Sequence, residues 1–257
     1  MANIQLKNYT CNYEYLDFGK SQTIVFSNSL GTDFSMWNEV VERMKNDFNI
    51  LLHDTRGHGK STNHQNELSI GELGEDIIEL IDYLQLNHDL VFCGLSMGGL
   101  IGQYLGIHHP NRFKKIVLAS TAAKIGTNEG WNTRMQQVTE NGLESILDGT
   151  KERWFTPQFQ KKNQQRIQEI LTKFAANDVS GYCANCAAVR DADFRSQLKN
   201  IAAKTLIITG KEDLVTTVDD GNFMQNEIPN AEVKVLNAAH LSAVECAEEF
   251  ADAILTF

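Results

Sequence analysis

The chain has 257 residues, of which 42% are apolar and 22% charged. That is the balance of one large or two small globular domains, and it excludes a disordered or collagen-like chain. Its 23 basic and 33 acidic side chains give a net charge of -10, a surface that repels phosphate backbones and anionic lipid, so neither nucleic acid nor a membrane is an expected partner.

Residues 11–18 alternate in part and read as an antiparallel edge strand of a hairpin. Residues 23–28 form a β-branched run that stops at a Ser/Gly cluster, and a similar run at 49–53 ends at Asp54-Thr55-Arg56-Gly57-His58-Gly59. Over 70–84, Ile70, Leu73, Ile77, Leu80, Ile81 and Leu84 recur with helical spacing. The run 89–93 ends at Gly94, a helix follows over 100–107, and 115–119 is the next strand. From 122 to 196 the patterns are helical, with one helix opening at Trp131 and others over 163–174 and 177–189. Strands return at 204–209 and 232–236, and an amphipathic helix over 243–255 closes the pattern.

Continuous apolar strands alternating with helices predict an α/β fold, a mostly parallel central sheet with helices on both faces. The organisation expected is a core of residues 1–121 and 197–257 with a helical cap, 122–196, inserted between two strands. Such an insertion normally sits over the carboxyl ends of the strands, where sites form. No run approaches the roughly 18 apolar residues of a membrane span. The first residues carry no secretory pattern, and the five scattered cysteines read as reduced thiols in a cytoplasm. Cys183 and Cys186 form one CxxC inside an Ala-rich helical stretch; without a second pair it reads as structural.

Gly94-Leu95-Ser96-Met97-Gly98 matches GxSxG between a strand and a helix. A serine on that bend is held in strained backbone geometry with its hydroxyl above the sheet. Side chains at positions 94 and 98 would clash across the bend, and Gly99 lets the helix start pack closely. A phosphate-binding turn fits less well, because the P-loop lysine and the GxGxxG spacing are both missing. A serine hydroxyl needs a base, and chain order on such a sheet is serine, acid, histidine. Asp213 follows the strand 204–209, whereas Glu212 would project the other way and Asp219 and Asp220 belong to the next helix. His240 lies in the loop after the last strand, which makes Ser96, Asp213 and His240 the expected catalytic set.

His58 reads as a loop-packing residue, His108 and His109 as a helix end, and His53, His64 and His88 as surface or strand-end residues. No histidine spacing suggests a metal, and no cofactor is expected. Backbone N–H groups of Met97 and Leu30 are the expected oxyanion donors.

The segments 27–32 through Trp37, 54–59 and 93–99, with Gly130-Trp131-Asn132-Thr133-Arg134, resemble the α/β-hydrolase superfamily, and in combination the 3-oxoadipate enol-lactonases of bacterial aromatic degradation, the β-ketoadipate pathway. The resemblance covers nearly the whole chain. It implies a small anionic lactone as substrate, opened through an acyl-enzyme on Ser96. An anion on a -10 protein needs a local cation. Arg134 is the candidate, with Trp131 as an apolar wall, and Arg190, Arg153 and Lys124 are the other cations available. A carboxylesterase, a carbon–carbon bond hydrolase and a ligand receptor on the same fold remain open readings. The sequence leaves the oligomeric state open.

Overall fold

The computed structural model describes every residue except Met1, Asn66 and His88. Eight strands form one sheet: β1 (Ala2–Gln5), β2 (Thr10–Leu16), β3 (Thr23–Ser27), β4 (Asn49–His53), β5 (Leu90–Leu95), β6 (Lys115–Ala119), β7 (Lys204–Gly210) and β8 (Ala231–Leu236), in the order β1-β2-β4-β3-β5-β6-β7-β8. The pairs β1–β2 and β2–β4 are antiparallel, and all others are parallel. The central strands β3 and β4 are buried along their whole length, which is why they read as unbroken apolar runs. The strand expected at the sheet edge, β2, is instead second in the sheet. Its outer hydrogen bonds are taken by β1, a four-residue strand too short to show a period.

Helix α1 (Asn38–Met44) joins β3 to β4, α2 (Ile70–Tyr83) joins β4 to β5, and α3 (Met97–His108) joins β5 to β6. The first connection runs one way along the sheet and the next two run the other way. Right-handed crossovers therefore put α1 and the pair α2–α3 on opposite faces. The direction reverses at β3 and β5, the point where open parallel sheets build their sites.

Between β6 and β7 come α4 (Asn128–Asn141), α5 (Leu147–Trp154), α6 (Pro157–Lys162), α7 (Gln164–Ala175) and α8 (Val179–Asp191). There are five helices here where three were legible, because α5 and α6 are only eight and six residues long. Helix α8 crosses the turn at Gly57 so closely that a Cβ on Gly181 would lie 2.6 Å from the Gly57 carbonyl oxygen. After β7, α9 (Val218–Glu227) returns the chain to β8. The closing helix is broken at Cys246 into α10 (Ser242–Glu245) and α11 (Ala247–Leu255), and α11 packs on α1.

Candidate active site

The bend after β5 is fixed from every side. Ser96 has φ 58° and ψ -111°, a conformation that costs a non-glycine residue of order 1–3 kcal/mol and persists only where its surroundings over-determine it. Here Ser96 N–H donates to Ala119 O (2.9 Å), and Ser96 O accepts from Thr121 Oγ1 (2.8 Å). A Cβ on Gly94 would lie 2.0 Å from Gly98 O, and one on Gly98 would lie 2.2 Å from Ser27 O. Both glycines are needed for the chain to pass between β3 and β6. Helix α3 begins immediately at Met97, three residues earlier than the apolar pattern indicates, because glycines carry no apolar signal.

Ser96 Oγ lies 2.9 Å from His240 Nε2, and His240 Nδ1 lies 2.8 Å from Asp213 Oδ2. All three side chains are buried. Asp213 Oδ1 accepts the N–H groups of Val215 (2.8 Å) and Thr216 (3.0 Å), and Thr216 Oγ1 donates to Oδ2 (2.8 Å). Burial alone would raise the Asp213 pKa, but the His240 ring and these donors outweigh it and hold it below the ordinary value. The carboxylate is thus kept charged and aimed at Nδ1. Glu212 is exposed, and its N–H is tied to Ala238 O, while Asp219 and Asp220 sit in the first turn of α9.

The turn 28–32 faces this group from the end of β3. Among the described residues, the N–H groups of Leu30 and Met97 donate to no protein acceptor. Gly31, at φ 86°, allows the turn. Ser96, His240, Ser29 and Leu30 share a small cavity of about 50 Å³ with Ile125, Trp131, Arg134, Arg153, Trp154, Val189 and Val215.

Two guanidinium groups meet in that wall. Arg134 donates from Nε to Tyr182 Oη (2.7 Å) and from a terminal nitrogen to Thr150 Oγ1 (3.3 Å), and Arg153 reaches the same hydroxyl at 3.5 Å. Burial and then the Arg134 charge lower the Arg153 pKa. Among the described residues neither has a carboxylate partner within ion-pair distance. Trp131 is held by its Nε1–H on Ile125 O (2.7 Å). The other two cations lie outside this wall: Arg190 is engaged with Asp191 (2.7 Å) and Asn132 (3.0 Å), and Lys124 donates to Arg190 O (3.3 Å). Thr150, Tyr182 and Trp154 had no local sequence signal, since only helix docking brings them here.

His53 and His58 are buried, and among the described residues no ring nitrogen of either has a hydrogen-bond partner. Burial pushes both pKa values down to about 4. His64 is exposed, and His88 lies outside the described residues. The five cysteines are free, with Cys186 buried inside α8. Among the described residues no group of three or more His, Cys, Asp or Glu side chains is placed to hold a metal, and no helix is long and apolar enough to cross a membrane.

Known proteins share this arrangement of chain. The family profile described as serine aminopeptidase, S33, within the Hydrolase_4 group, matches residues 20–241. The chain is 43% identical over 227 residues to 3-oxoadipate enol-lactonase 1 of Acinetobacter baylyi, covering 88% of this chain and 85% of that one. It is 40% identical over 242 residues to 3-oxoadipate enol-lactonase 2 of the same organism, covering 93% and 90%. The crystal structure of the enol-lactonase from Burkholderia xenovorans superposes with a TM-score of 0.96 at 33% identity, covering 99% of this chain and 98% of that one. The chain belongs to the enol-lactonase family of α/β hydrolases. As a member it is an ester-hydrolysing enzyme, and the sheet order and crossovers described above are those of an α/β-hydrolase fold.

Proposed function

We propose that this hydrolase opens the 3-oxoadipate enol-lactone to 3-oxoadipate, in the cytoplasm, as a step of bacterial aromatic degradation. The observation that carries this reading is the pair of guanidiniums without carboxylate partners in the cavity that also holds Ser96 and His240. Two like charges brought together in a half-buried wall are costly, and a substrate carboxylate would offset that cost. A general esterase has no use for such a pair. The segment 122–196 acts as the cap, contributing Trp131, Arg134 and Arg153, while the strand ends contribute the chemistry.

In this reading Ser96 Oγ attacks the lactone carbonyl as its proton passes to His240 Nε2. Asp213 holds the Nδ1–H tautomer and stabilises the imidazolium. The N–H groups of Leu30 and Met97 take the oxyanion. Collapse breaks the ring C–O bond, His240 returns the proton to the leaving enol oxygen, and the enol ketonises to 3-oxoadipate bound as its Ser96 ester. His240 then deprotonates a water that attacks the ester carbonyl. The carboxylic acid leaves, and the proton returns to Ser96. Arg134 holds the carboxymethyl end, with Arg153 beside it and Trp131 excluding water. Beyond the lactone and water, every step uses groups of this chain, so no cofactor is called for.

The direct test follows disappearance of the enol-lactone by absorbance against a panel of neutral aryl esters. The lactone is expected to have the higher kcat/KM, by about tenfold or more. Equal or better turnover of the neutral esters would replace the lactonase reading with that of a general carboxylesterase.

A further inference from the structure

On its inner side the turn that carries Leu30 is tied to the sheet: Asn28 O accepts the Gly98 N–H (3.1 Å), Asn28 Nδ2 donates to His53 O (2.9 Å), and Trp37 Nε1 donates to Asn28 Oδ1 (2.9 Å). Its outer side is held by the inserted helices. Asn177, just past α7, donates from Nδ2 to Gly31 O at 2.8 Å, and its Oδ1 accepts the Gly59 N–H at 3.0 Å. The same Nδ2 reaches Phe174 O in the last turn of α7 (3.0 Å). Carbonyls face the nitrogen and an N–H faces the oxygen, so the network fixes the amide's orientation. Phe174 packs beneath the turn, where a Cβ on Gly31 would lie 2.3 Å from its ring. A nearby tie between Lys173 and Asp33 (3.1 Å) is partly solvent-exposed and holds little.

We propose that Asn177 is a positioning residue that sets the oxyanion donor Leu30 by clasping the Gly31 carbonyl from the inserted helices. This rests on the reading of Leu30 as an oxyanion donor. Such a donor acts over a narrow range, roughly 2.7–3.1 Å from the oxyanion. A turn tethered on one side only can drift out of it. The transition state then loses a hydrogen bond that the ground state never had.

The test compares Asn177→Ala and Asn177→Asp with Asn185→Ala, each assayed on the enol-lactone and on p-nitrophenyl acetate below its own melting midpoint. Asn177→Asp keeps the acceptor for Gly59 and turns an oxygen toward the Gly31 and Phe174 carbonyls, so it isolates the clasp on the turn. Asn185 docks α8 through a hydrogen bond to Arg56 O (2.8 Å), away from the turn, and its other bond, to Gly181 O (2.8 Å), stays within α8. Both Asn177 variants are expected to lose roughly ten- to a hundredfold in kcat on both substrates, with KM within about threefold. Asn185→Ala is expected to lower the melting midpoint while kcat stays within about threefold. Retention of kcat to within about twofold in the Asn177 variants would overturn the proposal. So would equal kcat losses in the Asn185 variant, which would reduce Asn177 to a docking contact. A wild-type enzyme that cleaves the aryl ester and leaves the lactone intact would overturn the substrate reading alone, since the aryl-ester comparison still tests the clasp.

Discussion

The bend at Ser96 and the helix α4 face each other across one small cavity, and their surroundings differ. Around Ser96 the backbone is packed so tightly that a single methyl on Gly94 or Gly98 would overlap backbone atoms. Helix α4 buries only Val138 of its fourteen residues, and it is bracketed by Gly126 and Gly142, both at positive φ. The proposed nucleophile therefore stands where no neighbour can give way, whereas Trp131 and Arg134 stand on a largely solvent-facing helix that rests on α8. A cavity of about 50 Å³ is far below the roughly 300 Å³ or more of ordinary ligand sites, so its walls must part to admit a lactone. The proposed chemistry is thus set on a fixed bend, and the proposed recognition on a helix that faces mostly solvent.

The largest effect should come from the rigid side. Ser96→Ala is expected to lower kcat by roughly 10⁴- to 10⁶-fold on any ester. Its fold should be unchanged by circular dichroism, and a phosphonate reagent should no longer label the protein. Appreciable turnover in this variant would mean that the strained bend serves another purpose.

On the side of α4 the effect should be smaller and selective. Arg134→Met removes a charge-assisted hydrogen bond to the proposed substrate carboxylate, worth roughly 1.5–3 kcal/mol, or about ten- to a hundredfold in kcat/KM for the lactone. Hydrolysis of a neutral aryl ester should stay close to that of the wild type. Equal losses on both substrates would show instead that the Arg134–Tyr182–Thr150 contacts hold α4 in place.

The smallest effect per residue concerns stability beneath both regions. His53 and His58 have folded pKa values near 4 against 6.5 for a free ring. Well above pH 6.5 both rings are neutral whether the chain is folded or unfolded, so they add no pH dependence. Between pH 6.5 and 4 the unfolded chain binds two protons that the native protein refuses, and stability falls as pH falls. At pH 5 the combined loss from the two rings is on the order of 4 kcal/mol, partly offset by Asp76, whose buried carboxyl is raised to about 6 and takes its proton first in the folded chain, so the melting midpoint should fall by several degrees from pH 7.5. Asp213, whose pKa is lowered, adds its loss only at still lower pH. A midpoint that stays flat across this window would show that both rings find partners for their protons.

How far the molecule was readable from its sequence follows the same divide. Parallel strands buried on both faces must be continuous apolar runs, so β3 to β7 are plain. Ser96 is marked by the glycines its bend requires, and Asp213 and His240 by their places just beyond strand ends. The structure brings these three into contact. Helix α1 was missed because seven residues show barely two helical turns, and β1 because four residues show no alternation. The meeting of Arg134 with Arg153 on Thr150, and of Asn177 with Gly31, depends on how helices dock across the chain. No local pattern encodes that. The proposed oxyanion donors are backbone groups, so their side chains carry little information about them.

The crossing of α8 over Gly57 bears on how this enzyme could be re-engineered. Gly181 and Gly57 touch backbone to backbone, and a Cβ on either would have to push the other away. One flank of the inserted segment is therefore a fixed joint, and a graft from another hydrolase would seat only if it brought a glycine to that crossing. The outer faces of α4 and α5 carry few such commitments, since only Val138, Thr150 and Trp154 are buried along these two helices. Libraries aimed at new acids or lactones belong there, at positions around Trp131, Arg134 and Arg153, where a change of side chain need not be repaid by a change of backbone.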